Sequence, residues 1–184
     1  MGAITNSKVT IHMVASLDGF IAKRDGDVAW LETSDSYEGG VTGESGEEFM
    51  ETMKTTGCFV IGFRTYEHAL KLGWPYGDVP TVVLTSRDLP ADRESIQFYS
   101  GDLKRLVNDR LRPKYKNIWL CGGAAVVKDF IRLKLADELI YSIAPILIGD
   151  GVPFFDHIGK ENALHLKDVS AYKTGVVELT YEIL

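Results

Sequence analysis

Three short apolar runs in this chain end in flexible or hydroxyl-bearing backbone, and two of them pass directly into a helical pattern. Cys58-Phe-Val-Ile61 leads into Gly62 and a helix over Thr65–Leu72, with Tyr66, Ala69 and Leu70 on one side. Asn117–Cys121 leads into Gly122-Gly123 and a helix over Ala124–Leu133, with Val126, Val127, Phe130 and Ile131 inward. The third run, Val79–Thr85, closes on Thr85-Ser86-Arg87. Apolar runs this short are strands covered on both faces, and strands alternating with helices fold as a sheet between two helical layers.

The remaining segments extend the pattern. Val9, Ile11, Met13 and Ala15 alternate with polar Thr10 and His12, a strand of period two that turns at Asp18-Gly19 and again at Asp25-Gly26-Asp27. Helices are predicted over Glu44–Lys54 and from Asp102, the latter with the stripe Leu103, Leu106, Val107 and Leu111 and a stop at Pro113. Ile96–Tyr99 and the long β-branched run Asp137–Ile148 are strands. Leu164–Tyr172 and Val176–Leu184 form a hairpin around Lys173-Thr-Gly175. The expectation is one α/β domain over 1–184, with a central mixed, mostly parallel sheet ending in a C-terminal β-hairpin.

Composition narrows the function. With 45% hydrophobic residues in 184, the chain can bury a core without staples. A net charge of −6 argues against a general nucleic-acid or membrane-surface binder, and no apolar run reaches the length of a membrane span. The first residues carry no basic-then-apolar secretory pattern, so a cytoplasmic protein is expected. Cys58 and Cys121 lie in apolar runs and read as buried free thiols, with a disulfide or a catalytic thiol as the alternatives. Neither they nor the four histidines have zinc-ligand spacing.

Ligands of open α/β sheets bind at the carboxyl ends of the strands, and four segments there carry usable chemistry. In Gly62-Phe63-Arg64-Thr65 the glycine permits close approach, Thr65 can cap the helix and contact phosphate, and Arg64 adds charge. An ordinary capped helix is the plainer reading. Gly122-Gly123-Ala124-Ala125-Val126 leaves helix-start amides uncovered for a pyrophosphate, or is simply a tight turn. Thr85-Ser86-Arg87 suits a phosphate monoester such as the 2′-phosphate of NADP, or is a polar loop. Val14–Ala22 followed by Gly26–Leu31 reads as a lid over a flat ring, or as a hairpin corner with Trp30 in the core.

In this order the segments resemble the dihydrofolate reductase superfamily, and within it the reductase domain of the bacterial riboflavin-biosynthesis deaminase-reductase. The motifs are Ala15-Ser-Leu-Asp-Gly-Phe-Ile-Ala22, Gly62-x-Arg-Thr-Tyr-Glu67, Leu84-Thr-Ser86, Gly122-Gly123 and Ile146-Leu-Ile-Gly-Asp-Gly-Val-Pro-Phe154, spread from about Lys8 to Leu184. The resemblance implies a three-layer α/β/α fold and NADPH lying across the strand ends. Arg64 and Thr65 would hold phosphate, and Thr85, Ser86 and Arg87 the 2′-phosphate. Gly122, Gly123, Ala124, Ala125 and Val126 would line the pyrophosphate, with Val14, Ala15 and Ile21 near the nicotinamide. One residue departs from the pattern. The superfamily usually has Arg directly after the first Gly of Gly-x-x-Thr, and here Phe63 stands in its place.

A reductase of this type moves hydride to a C=N or C=O carbon of a small heterocycle, of the pterin or pyrimidine class, and the heteroatom then needs a proton. In dihydrofolate reductases an acid lies five residues past a Trp, and that count from Trp30 gives Asp35. Glu47 and Glu48 are rival acids. The zinc deaminase motifs of the bifunctional enzyme are absent from this sequence, and Lys23 and Arg24 are the residues available for a ribose phosphate. Two alternatives stay open: a non-catalytic NADP(H)-binding protein with a sensing or regulatory role, and a flavin- or nucleotide-linked enzyme on another α/β fold. The apolar run Leu139–Ile148 and the resemblance together lead us to expect a homodimer.

Overall fold

Side-chain alternation along the first strand sorts the sheet into two faces. In β1 (Lys8–Ser16), Val9, Ile11, Met13 and Ala15 enter the main core, leaving Thr10, His12 and Val14 on the opposite face. The computed structural model describes residues 6–32, 34–42 and 53–184. Along it follow β2 (Phe20–Ala22), β3 (Cys58–Gly62), β4 (Thr81–Leu84), β5 (Ile96–Tyr99) and β6 (Asn117–Leu120). After these come β7 (Glu138–Ala144), β8 (Val152–Pro153), β9 (Leu164–Ala171) and β10 (Val177–Ile183).

Eight of these strands form one sheet in the order β5-β4-β3-β6-β1-β7-β10-β9, and β2 and β8 form a separate small ribbon. Every pair from β5 to β7 is parallel, whereas β10 runs antiparallel to both β7 and β9. The expected mostly parallel sheet with a terminal hairpin is therefore present. It carries α1 (Phe63–Lys71), α2 (Leu103–Arg105, continued as a π-helical turn Leu106–Leu111) and α3 (Ala124–Arg132).

The helices divide between the faces. Leu106, Val107 and Leu111 from α2 join Val127, Phe130 and Ile131 from α3 over Val9, Ile11, Val60, Ile118 and Leu120. On the other face, Tyr66 and Ala69 of α1 close a second core with Trp74, Ile61, Val83 and Ile96. Adjacent residues of β3, Val60 and Ile61, thus face different cores, and for that reason the run Cys58–Ile61 is apolar throughout.

Two boundaries and the winding of one helix depart from the sequence reading. Helix α1 starts at Phe63, because the Gly62 amide makes the last sheet bond of β3, to Gly122 O at 2.7 Å, and the chain turns immediately after it. Gly62 is therefore the cap, no side chain caps the helix, and Thr65 sits inside the first turn. Strand β7 stops at Ala144, before Pro145, which has no amide to continue the ladder. The helix from Asp102 begins as expected, with Asp102 Oδ1 accepting from Arg105 N at 2.8 Å, but widens so that Arg112 N reaches Val107 O. The helix expected over 44–54 lies mostly outside the described residues, which include a helical turn at 53–55, and Glu47 and Glu48 lie outside them too. No helix among the described residues is long and apolar enough to cross a membrane.

Candidate active site

Because β4, β3, β6, β1 and β7 are parallel, their carboxyl ends share one edge of the sheet, and the sequence motifs line up along it in spatial order. Register places Gly62 beside Leu84, Val60 beside Leu120, and Ser16 beside Ala144. The edge thus reads Thr85-Ser86-Arg87, then Gly62–Thr65, then Gly122–Val126, then Ser16–Gly19, then Ala144–Ile146. Antiparallel β10 starts at this same edge, with Val177 opposite Ile143, and adds the hairpin turn Lys173–Gly175.

At the centre, Gly122 and Gly123 have different reasons to be glycine. Gly122 has φ +89°, and a Cβ there would overlap Met13 Sδ in the core. A cis peptide joins it to Gly123. Gly123 is in extended backbone, and a Cβ would meet only Thr65 Oγ1 at an ordinary 3.8 Å. Packing within the chain does not require glycine at 123. Its bare backbone caps α3, whose first amides, those of Ala124 and Ala125, have no side-chain cap. Helix α1 also starts without a side-chain cap, so two helix N-termini and the Thr65 hydroxyl flank one groove, an arrangement suited to a diphosphate.

Toward β4, Arg87 N donates to Thr85 Oγ1 at 3.1 Å, and the Arg87 guanidinium lies 4.2 Å from the centre of the Phe63 ring. Ser86 and Arg64 are exposed beside them. Toward β1, Val14 is half-buried on the face away from the main core, while Ala15 has no exposed surface. Ala15 therefore presents no surface to a ligand, backbone included. Ile21 packs against the main core from β2.

The loop after β1 is tied down by Asp18. Its carboxylate accepts from Ser16 Oγ at 2.6 Å, Gly149 N at 2.7 Å and Ile148 N at 3.2 Å. The Ser16 bond, with those amides, holds the Asp18 carboxyl below its ordinary range. The β2–β8 ribbon and a bond from Phe154 N to Gly19 O at 2.8 Å complete the corner. Lys23 pairs with Asp27 at 2.7 Å and Arg24 with Asp150, so both cations expected for a ribose phosphate are committed to carboxylates.

Beyond β1 lies a cavity of about 520 Å³ lined by Trp30, Glu32, Ser34, Asp35, Ala144, Pro145 and Ile146. Trp30 is 7% exposed, as its core reading required, yet its buried indole N–H has no hydrogen-bond partner among the described residues. The segment carrying Asp35 is strapped to the hairpin: Tyr37 N donates to Lys173 O at 2.9 Å and Thr42 N to Ala171 O at 3.1 Å. The Asp35 carboxylate lies over Gly175, where a Cβ would collide with it. Asp35 is therefore at the β7–β10 end of the edge, separated from the Gly122-Gly123 turn by β1.

A polar cluster on the same face was not legible from spacing. Ser142 Oγ donates to Glu178 Oε2 at 2.6 Å, His12 Nε2 lies 2.9 Å from Ser142 Oγ, and Tyr172 OH donates to Glu178 Oε1 at 3.2 Å. Burial pushes the Glu178 carboxyl up, but bonds from His12, Ser142 and Tyr172 outweigh it and leave it below the ordinary range. Its only sequence signal is polar residues at the outward positions of β1 and β10. Cys58 and Cys121 are free, and burial pushes each thiol up to about 12, so neither is an activated nucleophile.

With this geometry in place, comparison with known proteins is specific. The RibD C-terminal domain profile matches residues 7–178. YwjB of Bacillus subtilis (strain 168), itself uncharacterized, is 33% identical over 172 residues, covering 92% of this chain and 94% of that one. Among solved structures, a Shewanella sp. PV-4 protein named for riboflavin biosynthesis superposes with a TM-score of 0.81 at 22% identity, over 97% of this chain and 99% of that one. Dihydrofolate reductase from Enterococcus faecalis, complexed with NADP(H), gives a TM-score of 0.60 at 17% identity, over 97% of each chain. The fold is that of the dihydrofolate reductases, and the chain belongs to the RibD C-terminal domain family.

Proposed function

We propose that this protein is an NADPH-dependent reductase that delivers hydride to a C=N or C=O carbon of a small heterocycle of the pterin or pyrimidine class. The carrying observation is Gly123: a residue whose packing tolerates a side chain, left bare between two uncapped helix starts and the Thr65 hydroxyl. A diphosphate fits that cradle. In this reading Arg64, Thr65 and the amides of Ala124 and Ala125 hold the diphosphate, and Val126, whose own amide donates to Gly123 O at 3.0 Å, lines it with its side chain. Thr85, Ser86 and Arg87 hold the 2′-phosphate, with Val14 and Ile21 beside the nicotinamide and Ala15 buried behind Val14. When bound, NADPH supplies the hydride.

The residues of the chain supply position and the proton. The cavity beyond β1 is large enough for a bicyclic ring, and the unpaired Trp30 N–H is a donor awaiting an acceptor on it. Asp35 borders the same cavity and is assigned as the acid that protonates the heteroatom. The two free thiols suit a reducing compartment, and we place the protein in the cytoplasm.

We also propose a homodimer. The apolar run Leu139–Ile148 is accounted for by the place of β7 between β1 and β10, so the surface we assign to a second copy is edge strand β9, with Leu164, Leu166 and Val169 exposed. Sedimentation equilibrium at micromolar protein tests it. A monomer mass removes the dimer.

Calorimetric titration with NADPH and NADH tests the function. Tight NADPH binding followed by turnover on a reducible heterocycle is expected. Binding without turnover on any such substrate marks the sensing alternative, and binding of neither cofactor overturns the reading.

A further inference from the structure

Position 63 holds an aromatic ring where the resemblance leads one to expect a cation, and the structure gives that ring a specific partner. The Arg87 guanidinium, from the neighbouring strand end, sits 4.2 Å from the centre of the Phe63 ring, well inside cation–π range. Among the described residues Arg87 has this aromatic partner and no carboxylate, unlike Lys23 and Arg24.

The ring itself is held from below. Phe63 packs on Tyr66 at 5.9 Å, and Tyr66 meets Trp74 and Phe98 edge-on at 5.9 and 5.3 Å in the second core. The other end of Arg87 is fixed through its amide, which donates to Thr85 Oγ1. A long, exposed arginine is thereby restrained at both ends, with its guanidinium over the ring and no hydrogen-bond or carboxylate partner for its N–H groups among the described residues. Arg64, one residue further along α1, is rotated about 100° around the helix and cannot take the same place.

On the NADPH reading given above, we infer that Phe63 is a positioning residue for cofactor choice: its ring presents Arg87 to the 2′-phosphate of the cofactor at the β4 end of the groove. The guanidinium reads the phosphate through charge-assisted N–H···O bonds. The ring reduces the rotamer freedom that Arg87 must give up to make them. Loss of the ring should therefore weaken NADPH and leave NADH, which has no 2′-phosphate, unaffected.

The test is calorimetric titration of wild type, Phe63→Leu, Phe63→Tyr, Arg87→Ala and the Phe63→Leu/Arg87→Ala double variant with NADPH and NADH. Arg87→Ala should weaken NADPH about tenfold or more. Phe63→Leu should weaken it about two- to fivefold, with NADH affinity unchanged, and Phe63→Tyr should keep the wild-type ratio. The double variant should be no worse than Arg87→Ala alone, because the ring acts only through the guanidinium. A general loosening of the second core would lower both affinities together, so the NADPH/NADH ratio separates positioning from misfolding. Parallel losses in Phe63→Leu, no loss at all, or a full additional loss in the double variant overturn the inference while NADPH binding by wild type stands. A wild type that binds neither cofactor overturns the functional reading first.

Discussion

Ser142 gives its single hydroxyl proton to Glu178 at 2.6 Å, and this fixes the proton on a third residue. A serine hydroxyl has one donor, so at 2.9 Å from the same oxygen His12 Nε2 must be the donor. His12 is thus set in the Nε2–H form, its ring 5.0 Å from the Trp119 ring and tilted 35° to it. The order is His to Ser to Glu, with serine in the middle, so this is not a nucleophile–base arrangement. It is a carboxylate held ionised on the sheet face away from the main core.

The first prediction concerns that carboxylate. The folded Glu178 carboxyl lies below its ordinary value, so its contribution is present above that value and fades as pH falls through the ordinary range toward the folded one. Glu178→Gln should therefore be less stable than wild type near neutral pH, and the gap should close between about pH 6 and pH 3. Urea unfolding across that range is the measurement. A gap independent of pH would mean that the cluster does not act through its charge.

The paired glycines should behave oppositely. Gly122→Ala should destabilise the fold, by about 1–2 kcal/mol for the left-handed backbone alone, with the overlap on Met13 added. Gly123→Val should melt close to wild type yet lose NADPH binding, because its side chain fills the groove rather than the core. Thermal unfolding and calorimetry on the two variants separate these outcomes. Full affinity in Gly123→Val would remove the turn from the site.

Asp18 should matter for order rather than for chemistry. Asp18→Ala removes the acceptor shared by Ser16, Ile148 and Gly149. Amide exchange should speed up at 17–22 and 147–153 while the strands keep their protection. Unchanged exchange in both loops would show that the β2–β8 ribbon is sufficient without the carboxylate.

On the reductase reading, Trp30 and Asp35 divide the work in the cavity. Trp30→Phe gives up a donor that has no partner among the described residues, so stability should move by no more than about 1 kcal/mol while KM for the substrate rises. Asp35→Asn should lower kcat by about 10²-fold or more and flatten the pH–rate profile. A normal profile in Asp35→Asn would exclude it as the acid.

Much of the fold was legible because local and tertiary demands agree. The run Cys58–Ile61 faces two cores, Val9–Ala15 faces one with alternate residues, and Asp102 caps its helix; each pattern has one physical solution. Relations set only by register were not legible. Ser142, Glu178 and His12 come from three strands and meet through pairings that spacing along the chain does not encode. The fate of Phe63 was hidden in the same way. Position 63 read as a missing charge, and the charge turns out to stack on it from the adjacent strand. Thr65 was expected to cap α1, but Gly62 takes that place.

The reversal of direction at β10 has a consequence for how the protein is made. Strands β1, β3, β4 and β6 and helices α1 and α3, which flank the Gly122-Gly123 turn, are all synthesised by Arg132. The strap carrying Asp35 finds its anchors, Lys173 and Gly175, only when the last hairpin has left the ribosome. On the NADPH reading, a nascent chain carries the residues assigned to the cofactor before it carries the anchors of the cavity assigned to the substrate.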